Sequence, residues 1–201
     1  MTNVVFDFDK TISRYDTFNK YMYYIGKNKI SFRLLIILYQ FIRLLRRFRL
    51  ISNLTQKHYA LNIFLPNNPS DLDKYSRDFI ETIEFNSNIL KKYKTEALRS
   101  QVFICSASPI IYLKELFSEA TIIGLEFVKE RKYRIVKHPY GKEKFNILKS
   151  MGVSQIDRLY TDSFNDKYLA KISKTVFIVN NDEITQVNNY QEFLNHFNNQ
   201  S

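Results

Sequence analysis

A single cysteine, Cys105, leaves no partner for an intrachain disulfide in this 201-residue chain, and a reducing compartment is the default for such a sequence. Only four glycines and four prolines occur, which excludes long flexible linkers and low-complexity tails. No internal repeat is present. The first residues lack the layout of a secretion signal, since Asn3 to Asp9 is a short apolar run leading straight into acidic residues. The most informative absence is of acids: between Thr17 and Ser70 there is no Asp or Glu. That stretch holds nine of the 30 Lys and Arg residues, and the remaining 21 nearly balance the 20 Asp and Glu. The net charge of +10 is therefore a property of one segment. Such a segment concentrates anions, whether phosphorylated substrates, acidic lipid headgroups or nucleic acid.

An apolar content of 45% over this length suffices for one core and a modest insertion, not for a second full domain. Short apolar runs that end in polar residues read as buried strands. They are Val4-Val5-Phe6, Gln101 to Cys105 ending at Ser106-Ala107-Ser108-Pro109, Arg158-Leu159-Tyr160 ending at Thr161-Asp162-Ser163, and Thr175 to Val179 ending at Asn180-Asn181-Asp182. Helical patterns cover Ile110 to Phe117, Lys142 to Met151, Asp166 to Ile172 and Glu183 to Phe197, and Glu126 to Tyr140 alternates like a small hairpin. Strands alternating with helices predict an α/β fold with a Rossmann-like parallel sheet. Ligands of open sheets of this kind sit outside the carboxyl ends of the strands. The alternation is interrupted by a helical, basic segment broken at Leu65-Pro66-Asn67-Asn68-Pro69. The expected division is an α/β core from residues 1–12 and 86–201, with a helical insertion over 13–85.

Within the insertion, Ser31 to Leu50 has an uncharged run, Leu34 to Ile42, closed by Arg33 and Arg43, far too short to span a bilayer. On a helix, Arg33, Gln40, Arg43 and Arg47 share an arc of about 80°, and most of the remaining surface is apolar. One reading is a helix packed on its neighbours with a solvated basic stripe, favoured because an inserted helical unit needs a core of its own. The other is an interfacial helix resting on anionic lipid. Aliphatic residues outnumber base-reading polar types here, which argues against nucleic acid.

Chemistry gathers at Asp7-Phe8-Asp9-Lys10-Thr11. At a strand end, Asp7 and Asp9 are two residues apart and project to one side. Carboxylates so placed repel unless a cation or a shared proton intervenes. An oxygen-rich site of this type suits Mg²⁺, which takes one or two carboxylates, waters and substrate phosphate. A carboxylate can also attack phosphorus and split hydrolysis into two easier steps. Alone, the pair reads as well as an acidic turn with capping aspartates.

Three further motifs follow in order, and together the four resemble the haloacid dehalogenase superfamily. The run Asp7 to Thr11 resembles its first motif, D-x-D-x-T. Ser106 resembles the Ser/Thr of the second, Lys144, with Leu148 four residues on, the lysine of the third, and Asp162-Ser163-Phe164-Asn165-Asp166 the acidic fourth. The resemblance implies a phosphatase in which Asp7 is the nucleophile and a ligand of Mg²⁺, while Asp9 is the acid and base and also lies at the metal. Asp162 would complete the metal site with Asp166 as a direct or indirect partner, and Lys144 would offset the carboxylates. Thr11, Ser106 and the Ala107 backbone, with Lys144, would hold the phosphoryl oxygens. Lys10 stands where the superfamily most often has Gly, so the turn is expected to keep an ordinary backbone conformation with Lys10 facing solvent; a phosphate contact is the other reading. Lys142 competes with Lys144, which the Leu148 spacing favours. Cys105 reads as packing, and His58 and His138 as structural or surface residues.

An insertion between the first and second motifs is the position of the superfamily's C1 cap and resembles the phosphoserine-phosphatase-like members. Tyr15-Asp16-Thr17-Phe18 and Ser106 to Pro109 also resemble phosphatidylglycerophosphatase C and its relatives. The expected substrate is a phosphorylated lipid or membrane-linked intermediate, or else a small soluble phosphometabolite. The expected place is the cytoplasm, with peripheral contact to an anionic membrane through the basic cap. A non-catalytic binding module would have no need for Asp7, Asp9, Ser106, Lys144 and Asp162 together.

Overall fold

In the computed structural model, which describes residues 2–27, 29 and 31–198, a seven-stranded sheet carries the fold. The strands are β1 (Asn3–Phe6), β2 (Gln101–Pro109), β3 (Thr121–Lys129), β4 (Tyr133–Lys137), β5 (Ile156–Thr161), β6 (Ser173–Asn180) and β7 (Glu183–Val187), in the order β4-β3-β2-β1-β5-β6-β7. The five strands from β3 to β6 in that order run parallel, and antiparallel β4 and β7 close the two edges. This is the Rossmann-like sheet expected. Val4, Val5 and Phe6 are all fully buried, because a central parallel strand is covered on both faces.

The apolar cluster on one face draws on α1 (Thr17–Gly26), α2 (Phe32–Arg47), α3 (Asn53–Phe64), α4 (Asp71–Ile80), α5 (Ser87–Ala97) and α6 (Ile110–Leu116). The other face packs against α7 (Lys142–Ser150), α8 (Lys167–Ala170) and α9 (Tyr190–Asn198). After β1 the chain passes to β2 and β3 on one side and later to β5 and β6 on the other, so the winding reverses at β1. A crevice forms at such a reversal. Pairing of Phe6 with both Ile104 and Tyr160 brings the ends of β1, β2 and β5 to one level.

Helices α1 to α4 lie between β1 and the next helix of the sheet layer. The chain leaves at Ser13 and returns at Phe85, which form an antiparallel bridge, flanked by Arg14 N to Glu84 O at 2.9 Å and Asn86 N to Ile12 O at 2.8 Å. The apolar interior of this segment is not separate, contrary to expectation. Tyr21 of α1, Phe79 of α4 and Tyr112 of α6 have ring centroids 5.0–5.4 Å apart, and one buried cluster runs from them to Val4 and Phe6. The inserted helices thus share the sheet's own core. Of α2, only Tyr39 and Ile42 are buried.

Two expectations need correction. Residues 183–197 are not one helix: Glu183–Val187 forms β7, paired with β6 from Asn180↔Glu183 to Val176↔Val187. Asn181 takes φ 55° in the turn, a conformation Asn tolerates well, and the β-branched Ile184, Thr185 and Val187 suit the strand that follows. Lys10 does not take an ordinary conformation. It sits at φ 58°, ψ 3°, so the turn keeps the left-handed geometry that glycine accepts without penalty. Relief of the Cβ clash, less the extra chain entropy of glycine, predicts that Lys10→Gly stabilises the fold by about 0.5–1 kcal/mol. Urea unfolding checks this through a raised midpoint at unchanged slope.

Candidate active site

A cavity of about 190 Å³ opens at the carboxyl ends of β1 and β5, and Asp7, Asp9, Lys144, Asp162 and Asp166 all line it. Asp7 is the first residue past β1. Its amide donates to the Tyr160 carbonyl at 2.9 Å, which fixes its height against β5. Its Oδ1 accepts from the Phe8 amide at 2.8 Å and lies 3.0 Å from Lys144 Nζ. Oδ2 has no hydrogen bond or ion pair among the described residues.

Lys144 reaches this point from the first turn of α7. Gly141 precedes that helix at φ 57°, ψ −123°, a region open essentially to glycine alone. Lys144 Nζ also lies 2.8 and 3.0 Å from the two oxygens of Asp166. Asp166 Oδ2 further accepts from Thr161 Oγ1 at 2.7 Å. Burial by itself lowers the Lys144 pKa, but Asp166 and Asp7 outweigh it and hold the pKa above the usual value. Lys142 is exposed and takes no part.

Asp9 points elsewhere. Its Oδ1 accepts from Thr17 N at 2.7 Å and Thr17 Oγ1 at 2.5 Å. Its Oδ2 accepts from Ser108 Oγ at 2.5 Å, with Ser106 Oγ at 3.5 Å. Tyr112 OH lies 2.7 Å from Thr17 Oγ1 and completes the chain of hydroxyls. Burial, with the charge of Asp16 nearby, raises the Asp9 pKa against the opposing pull of the Ser108 and Thr17 hydrogen bonds. A carboxyl with a raised pKa, held in place at both oxygens, is suited to giving and taking a proton.

Burial likewise raises Asp7 well above the ordinary carboxylate range; Lys144 works against this, while Asp166, Asp162 and Asp9 add to it. Asp162, just past β5, is pushed up to about 6 by burial and then by Asp166, and has no hydrogen-bond or ion-pair partner among the described residues. Asp7 and Asp162 are therefore the carboxylates with oxygen atoms available to a cation.

Not every expected site residue faces the cavity with an unengaged atom. The Asp166 carboxylate pairs with Lys144 and Thr161, which fits an indirect place at a metal, and that of Asp9 accepts from hydroxyls. Thr11 is fully buried and outside the cavity wall, its carbonyl held by Asn86 Nδ2 at 2.7 Å, so it makes no phosphate contact here. Ser106 is fully buried too; its hydroxyl accepts from the Ser108 amide at 3.0 Å and faces Asp9, not the cavity. Ala107 does line the wall, as does exposed Lys10 at the rim. Among the described residues, no three His, Cys, Asp or Glu side chains gather closely enough to cage a metal by themselves. Cys105 is buried, and burial raises its pKa.

One cavity residue had no place in the sequence reading. Lys57 of α3 is buried, donates to the Ala107 carbonyl and lies 4.4 Å from the centre of the Phe18 ring. Burial lowers its pKa to about 8, against the opposing charges of Asp16 and Asp9. The only sequence signal was its place in a basic segment, and such a segment does not say which cation turns inward.

No protein-family model matches the chain, and no curated protein does. Solved structures do match. A protein of unknown function from Bordetella pertussis Tohama I superposes with a TM-score of 0.70 at 14% identity, over 85% of this chain and 86% of that one. A phosphoserine phosphohydrolase-like protein from Francisella tularensis subsp. tularensis SCHU S4 gives 0.64 at 14% over 88% and 86%. A substrate-bound phosphoserine phosphatase gives 0.62 at 13% over 97% of both chains. The fold is the one these solved structures share, phosphoserine phosphatases and a HAD family hydrolase among them. Identities this low carry the fold and nothing finer, so the chemistry rests on the residues described above.

Removing one partner of a buried ion pair leaves an uncompensated charge and costs several kcal/mol. Asp166→Ala is expected to destabilise the protein by roughly 3 kcal/mol, read by urea unfolding. Thr161→Val is expected to cost about 1 kcal/mol, the worth of one hydrogen bond.

Proposed function

We propose that the chain hydrolyses phosphate monoesters through a phosphoryl group carried transiently on Asp7. The observation that carries this reading is the state of Asp7: one oxygen is fixed by Lys144 and the Phe8 amide, and the other is unengaged in a cavity shared with Asp9 and Asp162. In the first step the free oxygen of Asp7 forms a bond to phosphorus while the ester P–O bond breaks, and Asp9 gives its proton to the departing oxygen. In the second step water attacks the same phosphorus, Asp9 takes its proton, and phosphate leaves Asp7. Lys144 holds Asp7 in place and balances charge as the phosphoryl group transfers. Helices α1 to α4, as a cap, bring Lys57 over the cavity, where its ammonium attracts the phosphate.

The donor set fits Mg²⁺. Two available carboxylates, Asp7 and Asp162, leave coordination positions for water and phosphate, as this cation prefers. When bound, Mg²⁺ would neutralise the phosphoryl oxygens and the two carboxylates that burial leaves strained.

The substrate's alcohol portion has a path out of the cavity. A groove lined by Arg43, Arg46 and Arg47 shares Asp16, Phe18, Asn53 and Lys57 with the cavity. This favours an ester with further anionic character, such as a phosphorylated lipid or membrane-linked intermediate, over a small neutral alcohol phosphate.

Asp7→Asn is expected to cut p-nitrophenyl phosphate turnover by on the order of a thousandfold or more with unchanged circular dichroism; full turnover would remove the mechanism. EDTA should inactivate and Mg²⁺ restore. A lysine with its pKa at about 8 is charged below that pH and neutral above it, so kcat/KM should fall as pH rises through about 8. Lys57→Arg should remove that descending limb, because arginine stays protonated throughout.

A further inference from the structure

Helix α2 has three distinct sides. Tyr39 and Ile42 face inward. Leu34, Ile37, Leu38, Phe41, Leu44 and Phe48 face out, with exposures from 46% at Leu44 to 67% at Ile37. At 100° per residue those six fall within an arc of about 120°. Arg33, Arg43 and Arg47 fall on the adjoining arc. A soluble surface scatters its exposed apolar residues, whereas a contiguous row of large ones marks a contact face. Leu50, 70% exposed, continues the row beyond the helix.

We infer that this face docks on the surface of an anionic lipid bilayer. Charge decides the occupant. None of Arg33, Arg43, Arg46, Arg47 and Arg49 forms a salt bridge with a carboxylate among the described residues, and the sequence around them has no acid from Thr17 to Ser70. Arg46 Nε is buried with no acceptor. Two copies of this face would bring uncompensated cations together, which is unfavourable. An apolar stripe beside a basic one matches a bilayer, where acyl chains meet anionic headgroups. The helix lies on such a surface and does not cross it: no helix among the described residues is long and apolar enough to span a membrane. The groove containing Arg43, Arg46 and Arg47 runs from this helix to the Asp7 cavity, so docking sets the mouth of the site beside the headgroups. The inference does not depend on hydrolysis, since binding is read without turnover.

The experiment is flotation of the whole chain with vesicles of phosphatidylcholine alone and of phosphatidylcholine mixed with phosphatidylglycerol. Wild type should float with the mixed vesicles at low salt, weaken as salt rises, and stay behind with the neutral ones. Ile37→Asp/Phe41→Asp should reduce binding on the order of tenfold or more while p-nitrophenyl phosphate turnover stays at the wild-type level, whatever that level is. Arg33→Glu/Arg47→Glu should also release the protein. All substituted positions except Arg47 are free of the cavity and its groove, and each is exposed, so the fold is preserved and circular dichroism checks it. No flotation at low salt, equal flotation with both vesicles, or variants that bind like wild type would each overturn the inference. So would a wild-type dimer in sedimentation that Ile37→Asp/Phe41→Asp makes monomeric, because the face would then belong to a second copy.

Discussion

The ion pair between Lys144 and the carboxylates of Asp7 and Asp166 is the constraint on which the rest of the site depends. Four aspartates converge at the ends of β1 and β5, and burial disfavours the charge of Asp7, Asp9 and Asp162. Lys144 is the cation placed inside this group, with both oxygens of Asp166 and one of Asp7 within 3.0 Å. Three separate segments meet there: the β1 end, the β5 end and the first turn of α7. The pair therefore ties a sequence span of more than half the chain to one point, and it leaves the opposite oxygen of Asp7 unengaged. Asp7 and the scaffold around it are positioned by the same contact.

Around that point the protein divides its polar groups by task. Thr17, Ser108 and Tyr112 serve Asp9, a hydroxyl set drawn from α1, β2 and α6. Thr161 serves Asp166. Asp162 and the outer oxygen of Asp7 have no hydrogen-bond or ion-pair partners among the described residues, which concentrates negative charge where a divalent cation and a phosphate can meet. Thr17 belongs to the first helix after β1, so the inserted segment helps to hold Asp9 in place. The shared core of Tyr21, Phe79 and Tyr112 gives the same message in packing: these helices are anchored to the sheet layer through aromatic contacts.

Much of this was legible in the residues. The strand ends, the order of Asp7, Ser106, Lys144 and Asp162, and the interruption after β1 could be read because short apolar runs ending in polar residues have one favourable place in a parallel sheet. The β6–β7 hairpin was missed because Glu183 to Phe197 carries a helical period at its far end, and the turn at Asn181 competes with that signal. The left-handed turn at Lys10 was missed for a related reason: a side chain type states a preference, and here surrounding hydrogen bonds overrule it at a cost of about 1–2 kcal/mol.

By itself, then, the sequence determined which carboxylates and which lysine stand at strand ends, and that the excess charge belongs to one segment. Only the tertiary structure decided which atoms those groups spend on each other. Asp166 pairs with Lys144 and Thr161, Asp9 turns to hydroxyls, Ser106 and Thr11 lie outside the cavity wall, and Lys57 of the basic segment lines the cavity. The same holds for α2, whose periodicity cannot tell an apolar face in contact with a core from one left bare. Linear spacing fixes the direction of a side chain relative to its own helix or strand. What that side chain meets is set by elements far away in the chain.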